Sequence, residues 1–134
     1  MGLFSNMFGQ TKELTKLSNA VANVKNFLDQ YEKDPDVSFL IVGAWICKVG
    51  VLDLIEKNNW PPHYRVFVSI NGRQTLMTMA EVQLATIGRL KNKVSSLNDS
   101  KLEGGIDDIL DGGDAFYELD AQIPQDMRDK ICNL

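Results

Sequence analysis

Residues 106–120, "IDDILDGGDAFYELD", set six carboxylates around a glycine pair, a composition suited to holding a hard cation such as calcium. Against the twelve-position calcium loop, Asp107 takes the first position, Asp111 the fifth, Gly112 the sixth and Glu118 the twelfth. Ile109 stands at the third, where an oxygen ligand belongs, and Asp114 stands at the eighth, normally apolar. A loop of that kind also needs a helix running into it, and "NDSKLEGG" reads as turn-forming. The expectation is an acidic, solvated connection, with Asp107, Asp111 and Glu118 as the candidate metal ligands and calcium as the alternative cofactor.

Nucleophilic chemistry has little to work with. His63 is the only histidine and lies just after "WPP", and no Gly-x-Ser-x-Gly motif occurs. Cys47 lies in an apolar run, a poor setting for a thiolate. Cys47 and Cys132 form no Cys-x-x-Cys pattern, and with one histidine they fall short of a zinc shell, so they read as reduced thiols of a cytoplasmic protein. The chain is expected not to be an enzyme.

Basic residues Arg89, Lys91, Lys93 and Lys101 follow one another along a helix and beyond it, but without interleaved aromatics on a protein of net charge −4. Nucleic-acid binding is therefore disfavoured. The charge is unevenly spread: residues 102–134 carry nine acids against two bases, while residues 1–101 are net positive by three. The acidic C-terminal part is expected to pack on the helical body. "NNWPPHYRVF" supplies the candidate partner-binding residues, Trp60, His63, Tyr64 and Phe67, around a stiff Pro-Pro step.

These groups must be positioned by a single domain spanning residues 1–134, since the length supports one core. Leu14, Leu17, Val21, Val24, Leu28 and Tyr31 form one helical stripe between Thr11 and Lys33. A second helix is expected after Asp34 as its cap, with Pro35 at its first position and Pro61-Pro62 beyond its end. Whether residues 37–46 are helix or strand stays open, because "VSFLIV" is rich in β-branched residues. Gly43, Cys47 and Gly50 offer a narrow face to another helix. Lys48 and Asp53 would each cost about 2.5 to 3.5 kcal/mol at a bilayer centre, which disfavours a membrane span.

"YRVFVSINGRQTLMT" alternates with period two around Asn71-Gly72, predicting a hairpin with strands near 64–70 and 73–77. "TMAE" predicts a capping box opening a third long helix to about Ser96, with Ala80, Leu84, Ile87, Leu90, Val94 and Leu97 on its buried face. A short helix is expected near Pro124. Residues 1–10 lack the features of a secretory signal, and Leu3, Phe4, Met7 and Phe8 form a short amphipathic turn. Such a turn either packs on the domain or makes peripheral membrane contact.

The expected fold is mainly α with minor β: about three long helices, one small hairpin and short C-terminal helices. The expected function is that of a small cytoplasmic interaction or assembly protein, binding a protein partner or forming a homodimer through its helices. Two alternatives are a calcium-responsive module using residues 107–118 and a membrane-associated adaptor.

Overall fold

The structure, a computed structural model, describes residues 11–125. The amphipathic turn at 1–10, Cys132 and most of the helix expected near Pro124 lie outside the described residues. The described residues are 73% helical, with five helices and one two-stranded antiparallel hairpin, a mainly-α fold with minor β.

Helix α1 (Lys12–Lys33) opens on Thr11, whose hydroxyl accepts from the Leu14 amide at 3.2 Å. Its stripe of Leu14, Leu17, Ala20, Val21, Val24 and Leu28 is buried. Helix α2 (Val37–Asn58) follows at once and resolves the ambiguity at 37–46 in favour of helix. Its cap is Asp36 rather than Asp34, accepting from the Ser38 amide at 3.0 Å, while Asp34 ends α1. Asn59 ends α2 in the left-handed region at φ 53°.

By length and composition α2 could cross a membrane, and half of its most apolar window is buried inside the fold. Leu40, Ala44, Trp45, Ile46, Cys47 and Val51 all face neighbouring elements. The small-residue face works as expected but against two partners. Gly50 meets Ala20 of α1, and Gly43 meets Leu90 of the third helix.

Strands β1 (Arg65–Ile70) and β2 (Arg73–Thr78) pair in the register Ile70↔Arg73 to Arg65↔Thr78. Asn71 at φ 54° and Gly72 at φ 77° supply the two positive angles of the turn that matches strand twist. Val66 and Val68 face the core, whereas residues 73–76 of β2 are exposed. The hairpin gains its support from α1, where Ser18 Oγ accepts from the Ser69 amide at 3.3 Å. That contact answers the marginal stability of an isolated two-stranded ribbon.

Helix α3 (79–96) begins with the predicted capping box: Thr78 accepts from the Glu81 amide and Glu81 from the Thr78 amide, both at 3.1 Å. Its buried face differs from the expected one. Met79, Val82, Thr86, Leu90 and Val94 are buried, and Leu84 is 72% exposed. A π-helical turn at Leu84–Gly88 accounts for the change. The wider turn takes up one extra residue, so the stripe read backward from Leu90 at helical period is one residue out of phase before the turn. Helix α2 contains a similar turn at Cys47–Leu52, which brings Lys48 within 2.8 Å of Asp53, five residues on.

Helices α4 (Ser100–Asp111) and α5 (Asp114–Gln122) complete the fold. Here the expected break at "NDSKLEGG" is corrected. Leu97 and Asn98 do turn, but α4 then runs through both Gly104 and Gly105. Asp99 caps it by accepting from the Leu102 amide at 3.1 Å, and burial of Ile106, Ile109 and Leu110 offsets the cost of two glycines, about 1 kcal/mol each.

Candidate functional site

The acidic stretch is a helix–turn–helix corner. Gly112 ends α4 at φ 78°, Gly113 starts α5, and the carboxylate of Asp108 spans the pair, with Oδ2 accepting from the Ala115 amide at 2.7 Å. This is a cap at the positive end of a helix, where a carboxylate belongs. Lys48 of α2 lies against Gly112, placing an ammonium at the negative end of α4.

The three candidate metal ligands are spread over this corner. Asp107 is exposed on α4 with Lys91 at 3.8 Å, Asp111 is the last residue of α4, and Glu118 lies beyond the first turn of α5. Among the described residues no three His, Cys, Asp or Glu side chains come together in a group able to hold a metal ion.

The two helices leaving the corner diverge into an open apolar hollow of about 400 Å³. Leu102, Gly105, Ile106 and Ile109 line one wall from α4, at i, i+3, i+4 and i+7. Ala115, Glu118, Leu119 and Gln122 line the other from α5 with the same spacing, and Ile41 of α2 closes the floor. Gly105 shapes the hollow: a Cβ there would meet no atom within 4 Å, so the absent side chain leaves the wall low. Asp99, Lys101 and Glu118 form the polar rim. Apart from Glu118, expected as a metal ligand, none of these wall residues stands out in the sequence. The signal is present as two short stripes at helical spacing, hidden when residues 98–105 are read as a turn.

Of the candidate partner residues, the structure brings Trp60 and Tyr64 together. Their rings stack with centroids 6.3 Å apart and planes 19° from parallel. The Tyr64 amide donates to the Pro61 carbonyl at 3.0 Å, so the proline pair folds back and sets the stack. Trp60 packs against the core, Tyr64 is 40% exposed and His63 stands in solvent. Phe67 is half-buried on β1, directly opposite the exposed Leu76.

Cys47 is sealed in the core. Burial pushes its thiol up to about 12, outweighing the opposing hydrogen bond from Thr86. Its polar neighbour is thus the hydroxyl of the π-turn in α3, while His63 is at the surface. A thiol held in this way is neutral at physiological pH.

Two of the three basic residues of α3, Arg89 and Lys93, are engaged by α1. Arg89 reaches Asp29 at 2.7 Å and Glu32 at 3.7 Å, and Lys93 reaches Glu32 at 2.5 Å. Lys25 holds Asp29 from within α1 at 2.8 Å. Arg89 and Lys93 are thereby tied into a clamp between α1 and α3, while Lys91 faces Asp107 of α4.

No family model, no curated protein and no solved structure matches the chain.

Proposed function

We propose that this chain is a small interaction or assembly protein that binds another polypeptide through its helices and catalyses no reaction. The observation that carries the reading is the open hollow between α4 and α5, floored by Ile41 of α2. Two helical stripes separated by a valley form the surface into which a third helix packs, because ridges of side chains on one helix fit grooves on another. An enclosed pocket would suit a small molecule, which binds by burying most of its surface. This hollow is open instead. The same surface serves either self-association or a different protein.

Two glycines supply the test. Gly105 faces the hollow, while Gly104, its neighbour in α4, is exposed outside it. The tagged full chain would be recovered from its native cells as wild type, Gly105→Leu and Gly104→Leu, with folding of each checked by circular dichroism. The expected result is a stoichiometric companion, this chain or another, retained by wild type and Gly104→Leu and lost from Gly105→Leu. A wild type that is monomeric and retains nothing lost from Gly105→Leu would overturn the reading.

A further inference from the structure

Resting on that proposed function, we infer that the occupant of the α4–α5 hollow is a basic amphipathic helix of a partner protein. Apolar contact alone does not choose an occupant; the charge around the hollow does. Residues 99–122, from the cap of α4 to the end of α5, carry eight carboxylates and one lysine. Asp108 is spent on the cap of α5, and Asp107 faces Lys91. Glu103, Asp111, Asp114 and Glu118 make no ion pair among the described residues, and all four are exposed. Glu118 borders the apolar valley on α5, and Asp99 and Lys101 border it at the start of α4, while Glu103 faces a separate cleft with Lys91 and Asp107; the lobe as a whole stays strongly acidic.

A helix with leucine-like side chains on one face would set them between Leu102, Ile106 and Leu119. Its lysines or arginines would then meet the acidic lobe, with Glu118 at the edge of the valley. A second copy of this chain is a poorer electrostatic fit, since Lys25, Lys48, Arg89, Lys91 and Lys93 of its helices are already paired with carboxylates of their own chain. An anionic membrane surface is disfavoured too, because the carboxylates would face lipid phosphates. Phosphate-bearing nucleic acid is disfavoured likewise.

The experiment uses the full chain and two fluorescent helical peptides. Both carry leucines at i, i+3, i+4 and i+7; one has lysines on its other face and its twin has glutamates. The lysine peptide is expected to bind wild type and Gly104→Leu alike, to weaken as salt rises, and to lose about tenfold or more in affinity with Gly105→Leu. The glutamate twin is expected to bind far more weakly. Equal binding of the two peptides, equal binding by Gly105→Leu, or no binding to wild type would overturn the inference. A wild-type dimer by light scattering that Gly105→Leu converts to monomer would overturn it too, because a second copy would then fill the hollow. In that case the proposed function stands and only the identity of the occupant fails.

Discussion

The carboxylate of Asp108 accepts from the amide of Ala115 at 2.7 Å, bridging α4 to α5 across the glycine pair. A Cβ on Gly113 would stand 1.9 Å from Asp108 Oδ1, so the cap and the glycine require each other. Asp108→Ala is expected to cost about 0.5–2 kcal/mol, the usual loss for a helix cap. Gly113→Ala must displace the same carboxylate and is expected to destabilise as well. Urea titration of the two single variants and the double variant measures the coupling. In the double variant the losses should fall short of additive, since both changes disrupt one interaction.

The approach of α1 to α2 at Ala20 and Gly50 is equally strict. A Cβ on Gly50 would lie 2.7 Å from that of Ala20, closer than two carbons pack. Gly50→Ala gains helix propensity but is expected to destabilise by about 1–3 kcal/mol, because both helices must shift. Adding Ala20→Gly should recover part of the loss, measurable as a rise in the denaturation midpoint over the single variant.

Gly104 and Gly105 behave in the opposite sense. A Cβ added at either would have no neighbour within 4 Å, and both residues lie inside a helix. Each Gly→Ala change is expected to stabilise by about 0.4–1 kcal/mol through the unfolded chain's lost freedom. Thermal unfolding of the two variants checks this directly.

Acid should loosen the clamp between α1 and α3. Hydrogen bonds from Lys25 and then Arg89 hold the Asp29 carboxyl below its ordinary 3.8, and Lys93 holds Glu32 below its ordinary 4.5. A carboxylate with a depressed folded-state pKa contributes stability that is present above the unfolded value and lost as pH falls through the folded one. The clamp's contribution is thus constant near neutrality and declines below the ordinary values of 3.8 and 4.5. Both groups are well exposed, so solvent and salt keep the effect modest. Urea midpoints from neutral to acidic pH should fall less steeply for Asp29→Asn than for wild type; parallel curves would contradict the role given to this pair.

Much of the architecture is legible in the sequence because local chemistry and tertiary packing agree. Asn71-Gly72 allows little but the observed turn, and Thr78 with Glu81 announces α3. The stripe of α1 needs only its spacing. The buried face of α3 departs from its periodicity at Leu84 because a π-turn at Leu84–Gly88 shifts the phase, and no residue type marks such a turn. Helix α4 is hidden by Gly104 and Gly105, whose poor propensity is overridden by the Asp99 cap and the burial of Ile106, Ile109 and Leu110. With α4 hidden, the hollow is hidden too, since its walls belong to α4 and α5 and its floor to Ile41, far away in the chain. The carboxylates invite a metal reading for a related reason: spacing along the chain does not show that Asp107 and Glu118 stand on different helices.

Site-specific photo-cross-linking in native cells tests the account most directly. A benzophenone side chain would replace Lys101, on the rim of the hollow, or Lys57, exposed near the far end of α2. Binding at the hollow predicts one adduct of discrete mass from position 101 and none from position 57. An adduct from position 57 alone, or none from either, would contradict the claim that this protein acts by holding another helix between α4 and α5.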